Sequence, residues 1–73
     1  MVNPDSPDLA YVQVADLLAT RIRAGDFPGR MPAERELAQE YEVSYGTVRR
    51  AMKILRERDL VRSVHGRGTF AVG

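Results

Sequence analysis

Arg49, Lys53 and Arg56 recur at i, i+4 and i+7, a spacing that lines cations along one face of a helix. Val48, Ala51, Met52 and Leu55 recur at i, i+3, i+4 and i+7 and line the opposite side. Such a helix can seat its apolar side in a core and lay its basic side in a major groove of double-stranded DNA, or merely in solvent. Only its first turns reach base edges. There Tyr45 shares a face with Arg49, and Thr47 and Arg50 flank them. Ser44 stands just before the helix as an N-cap. With Thr47 and the first free amides it makes a place for an anion, such as a DNA phosphate.

Two further features carry charge. The run His65-Gly66-Arg67-Gly68 brackets an arginine with glycines. Glycines permit positive φ and close approach to another surface, and an arginine there can enter a narrow minor groove. The same run also suits an ordinary tight hairpin. Arg35 lies between Glu34 and Glu36, which by itself reads as an exposed ion pair worth roughly 0–1 kcal/mol.

Enzyme chemistry is poorly provided for. There is no cysteine, and His65 is the single histidine. A Cys/His zinc site therefore cannot be built. His65 has no nucleophile or carboxylate constellation beside it, so it reads as a polar or phosphate contact. No nucleophile–base pair or P-loop is present. The expectation is a binder, with no catalytic residue, no metal and no cofactor.

These residues need elements to hold them. Tyr11, Ala15, Leu18 and Ile22, joined by Val14, form one stripe of an amphipathic helix. Asp8 suits its start and Gly25 the left-handed position after its end. Pro28, Gly29 and Pro32 make the next stretch a turn, with room for a very short strand at 30–31. A second helix is predicted over 33–41, with Leu37, Ala38 and Tyr41 inward and Glu34 and Glu36 favourably placed in its first turn. The third helix is predicted over 45–58. A link of about three residues between two short helices makes a helix-turn-helix. Small Ala38 and Ala51 allow the two helices to approach closely. Residues 60–64 and 69–72 are β-prone and flank a four-residue loop, 65–68, which predicts a hairpin. The fold class is mainly α with a small β-hairpin, a winged helix-turn-helix of three helices plus wing. Residues 1–8 are expected to be a flexible N-terminal tail and 9–73 the domain.

The 73 residues allow one small domain. An apolar fraction of 44 % with 29 % charged argues against disorder along the whole chain. No run approaches a membrane span, and residues 1–7 carry no basic apolar leader. A cytoplasmic location without a membrane partner is expected. The net charge of +1 conceals an asymmetry. Residues 1–48 hold four arginines against eight acidic residues, whereas 49–73 hold seven basic against two acidic. Ten of the eleven basic residues are arginine, which suits planar contacts to phosphate and guanine.

Taken in order, Pro32-Ala33-Glu34-Arg35-Glu36-Leu37-Ala38, Val43-Ser44, Thr47-Val48-Arg49, Leu60-Val61 and Gly66-Arg67-Gly68-Thr69-Phe70 resemble the GntR family of bacterial transcription regulators. The resemblance covers residues 9–72. It implies that Arg35 contacts DNA at the edge of the major groove, that Thr47 holds phosphate, and that Arg49 reads a base, guanine through its O6 and N7. It places the wing tip, 65–68, on phosphate and the minor groove. It further implies a two-fold symmetric operator, bound by a homodimer that forms on DNA, and regulation such as repression.

The sequence departs from the family pattern at several points. Tyr45 stands where many members carry arginine, and it suits a thymine methyl or a phosphate instead. Ala33 replaces a common capping serine. Glu42 and Asp59 occupy positions where glycine is frequent, and the 25–32 connection is short. Members continue into an effector-binding and dimerisation domain. This chain reads either as an excised DNA-binding domain or as a minimal regulator, and no effector-binding domain is expected in it. The competing reading is a winged helix used as a protein-interaction module, for which Ile54 and Val61 are the candidate apolar contacts.

Overall fold

A computed structural model describes residues 2–3 and 9–72. Its elements run α1 Ala10–Arg23, α2 Glu34–Tyr41, α3 Tyr45–Glu57, β1 Val61–Val64 and β2 Gly68–Ala71. This is the expected winged helix-turn-helix. Asp8, expected to cap α1, and Pro4 and Pro7 of the expected tail lie outside the described residues. The N-cap position of α1 is Leu9, with no side-chain cap bond. Of the expected tail, Val2 packs partly buried against the core, and Asn3 exchanges two hydrogen bonds with the Gln13 side chain.

One core unites the helices. Val14, Ala15, Leu18, Ala19 and Ile22 of α1 meet Val48, Ala51, Met52 and Leu55 of α3, and Leu37, Ala38 and Tyr41 of α2 close the side. Leu18, Leu37, Met52 and Leu55 are fully buried, each contributing roughly 1.5–3 kcal/mol relative to exposure. Ala38 and Ala51 are both buried, as close packing at the helix-turn-helix requires. Tyr11 is only half-buried, so the inward stripe of α1 runs through Ala19 instead.

All three helices end in the same way. After α1, Gly25 at φ +80° donates to Ile22 and Asp26 donates to Arg21. After α2, Glu42 at φ 56° donates to Gln39 and Val43 donates to Ala38. After α3, Asp59 at φ 58° donates to Arg56 and Leu60 donates to Leu55. Each is a Schellman turn. Two of the three place a non-glycine residue in the left-handed region.

Arg21 ties α1 to α2 and to the loop between them. Its guanidinium donates to Glu40 at 2.6 Å and to the Tyr41 hydroxyl at 2.8 Å, pairs with Asp26, and lies 4.7 Å from the Phe27 ring centre. The bond to Tyr41, ahead of the attraction of Glu40, holds its proton above the usual arginine range against the opposing effect of burial.

The wing is an antiparallel pair with Val61 opposite Ala71 and Val64 opposite Gly68. The loop is therefore 65–67, one residue shorter than the sequence suggests. Gly68 stays in the ladder because it adopts φ +105° there. Leu60 is excluded from β1 as an element, since its amide closes the turn after α3. The short strand expected at 30–31 is present as a bridge between Arg30 and Phe70, with the Met31 amide donating to Thr69 at 2.8 Å.

Candidate nucleic-acid interface

Three groups of polar side chains project from this frame. The first is at the start of α3. Ser44 caps the helix, accepting from the Thr47 amide at 3.1 Å, and its hydroxyl lies 2.9 Å from that of Thr47. The backbone amides of Tyr45 and Gly46 precede the first intrahelical bond and remain as donors. Beside them an open concavity of about 450 Å³ is lined by Leu9, Ala10, Tyr11, Ser44, Gly46, Thr47 and Arg50. The Arg50 guanidinium lies 5.7 Å from the Tyr11 ring centre. Hydroxyls, free amides and a guanidinium around one concavity suit a phosphate.

The second group joins α2 to α3. Arg35 and Arg49, from different helices, lie 5.6 and 5.8 Å from the same ring, that of Tyr45. The Tyr45 hydroxyl donates to Glu34 at 3.3 Å. Arg35 forms no salt bridge among the described residues. The ion pair that its neighbours Glu34 and Glu36 suggested is replaced by this aromatic contact. Arg49 and Lys53 point outward from α3, opposite Val48 and Leu55. Arg56 turns aside to bond the Ser63 hydroxyl of the wing at 3.4 Å. Arg58 pairs with Asp16.

The third group is the wing tip. His65, Gly66 and Arg67 are exposed, and the Arg67 amide donates to Val64 at 2.9 Å, with Gly66 at φ +75° inside that turn. Gly68 is constrained twice. Besides its φ, a Cβ there would fall 2.6 Å from Cδ of Arg30, whose stem crosses it.

Every expected contact residue is thus placed. Arg35, Tyr45 and Arg49 are brought together, as are Ser44, Thr47 and Arg50. Residues 65–68 form a patch of their own. Sequence reasoning assigned Tyr11 to the core stripe and did not foresee its place beside Arg50 at the concavity, nor the Arg30 stem across Gly68. An amphipathic tyrosine in a helix's first turn was the available signal for Tyr11. The apolar contacts of the competing interaction-module reading are largely withdrawn. Val61 is buried, and Ile54 is half-buried against the core.

Among the described residues, no group of three His, Cys, Asp or Glu could hold a metal ion. No described helix is long and apolar enough to cross a membrane.

Comparison with known proteins agrees with this geometry. The profile of bacterial regulatory proteins of the gntR family matches residues 10–71. The HTH-type transcriptional repressor NagR of Bacillus subtilis is 38 % identical over 71 residues, covering 94 % of this chain and 29 % of NagR. The mannosyl-D-glycerate transport/metabolism system repressor MngR of Escherichia coli is 39 % identical over 62 residues, covering 82 % of this chain and 26 % of MngR. The chain thus spans under a third of these relatives. The crystal structure of the AraR DNA-binding domain in complex with an operator superposes with a TM-score of 0.79 at 32 % identity, covering 99 % of this chain and 92 % of that one. The helix order, the wing and these matches together show that the chain belongs to the gntR family of bacterial regulatory proteins, as a winged helix-turn-helix domain.

Proposed function

We propose that α3 enters the major groove of an operator while the wing follows the adjacent minor groove, and that occupancy blocks or adjusts transcription. Arg49 reads guanine through O6 and N7, and Arg35 works at the groove edge. Ser44, Thr47, Arg50 and the α3 amides hold one phosphate, with Tyr11 completing that site. His65, Gly66, Arg67 and Gly68 meet phosphate and the minor groove. The observation that carries this reading is the pair of guanidiniums, Arg35 and Arg49, unpaired by any described carboxylate at the start of a capped helix.

The operator is two-fold symmetric and is bound by two copies, as symmetric half-sites demand. Repression is favoured because NagR and MngR are named repressors. The site binds rather than catalyses, takes no cofactor, and works in the cytoplasm where DNA is. The first experiment is anisotropy of a labelled duplex against salt. Affinity that falls steeply with salt is expected, because phosphate neutralisation releases counterions. Binding that ignores salt would contradict it and favour the protein-interaction reading.

A further inference from the structure

We propose that Tyr45 is a positioning residue that sets base preference by holding Arg35 and Arg49 in one arrangement, without reading DNA itself. This inference rests on the DNA-binding reading above. Its basis is a convergence at one ring. Arg35 comes from the first turn of α2 and Arg49 from the second turn of α3, yet both guanidiniums lie within 6 Å of the Tyr45 ring centre. The ring is itself anchored, because its hydroxyl donates to Glu34, the residue beside Arg35. Neither arginine has a salt bridge to a described carboxylate that could orient it instead.

The chemistry follows from that arrangement. A free arginine samples many rotamers, and bidentate recognition of a base edge requires one of them. A ring face attracts a guanidinium by its quadrupole and restricts it at low cost. One tyrosine serving two arginines couples the groove-edge contact made from α2 to the base read from α3. The hydroxyl donates its one proton to Glu34, so it is withdrawn from donating to a phosphate. At 43 % exposure the ring is not part of the core, and its loss leaves the fold intact.

The test uses the whole chain on the operator selected by the wild-type protein. Tyr45→Leu is expected to weaken operator binding about tenfold, as two arginines must then be ordered on binding. It flattens preference at the base position that Arg49→Ala flattens, and leaves affinity for an unrelated duplex unchanged. Tyr45→Phe keeps the ring and most of the preference. In an Arg49→Ala background, read at reduced salt, the cost of Tyr45→Leu shrinks to about threefold, because only the Arg35 contact remains to be lost. An undiminished tenfold cost in that background means that Tyr45 contacts DNA directly, and overturns the proposal. So does a Tyr45→Leu protein whose base preference matches the wild type. Failure of the wild-type chain to select any site is a different result, and strikes the DNA-binding reading itself. Thermal melting of Tyr45→Leu beside wild type confirms that any loss is not unfolding.

Discussion

Arg21 and Arg58 hold carboxylates, whereas Arg35, Arg49, Arg50 and Arg67 hold none among the described residues. Arg23, Arg30, Arg56 and Arg62 hold none either, so the choice of Arg49 and Arg67 as DNA contacts is a proposal with its own tests. Arg49→Ala should weaken specific binding by about 1–3 kcal/mol and relax one base position; titrating the variant on a set of single-base operator variants checks this. An equal loss on every sequence would remove its base-reading role. Arg67→Ala should weaken binding to all sequences alike and lower the slope of log affinity against log salt by about 1. An unchanged slope would take Arg67 off the phosphates and the minor groove. The periodicity of residue types exposed Arg49 and the N-cap Ser44 directly. Taken alone it read Arg35 as an exposed ion pair, and only the family resemblance proposed it as a DNA contact, because adjacency to Glu34 and Glu36 is visible along the chain while the Tyr45 ring reaches Arg35 only through the packing of α2 on α3.

The helix-turn-helix depends on how α2 stops. Glu42 takes the left-handed position that lets Val43 donate back to Ala38 and aims the chain at Ser44. A non-glycine residue there costs about 1–2 kcal/mol, partly offset by the entropy that glycine would lose. Glu42→Gly is therefore expected to stabilise the domain by up to about 1 kcal/mol, raising its melting temperature by roughly 4–8 °C. Asp59→Gly should give less, since Asp tolerates the left-handed region better. Thermal unfolding of both variants checks the order, and a lowered melting temperature for Glu42→Gly would contradict it. These turns were readable beforehand because family members carry glycine there, while Ala33 at the start of α2 indeed leaves the helix without a side-chain cap. The wing was readable to within one residue. Its error came from Gly68, whose positive φ looks like loop in sequence but sits in the ladder under the Arg30 stem.

Across the whole molecule, charge is unevenly divided. The acidic residues concentrate before residue 49 and the basic ones from it onward, so α3 and the wing carry more of the cations than the rest of the chain. The chain spans 29 % of NagR, and the domain is proposed to pair on DNA, not in free solution. Sedimentation should therefore show a monomer alone and two copies on a symmetric duplex. A tight dimer without DNA would refute this. The shape of the fold was derivable from periodicity and turn chemistry, and the i, i+4 spacing put Arg49 beside Tyr45, but the meeting of Tyr11 with Arg50, and of Tyr45 with Arg35, depends on helix packing that no spacing rule supplies.

The most direct test is selection of the chain against a pool of randomised duplexes at two salt concentrations. Enrichment of a two-fold symmetric site, with retention falling steeply at the higher salt, is the predicted result. Absence of binding even at low salt would contradict the assignment of α3 and the wing to DNA.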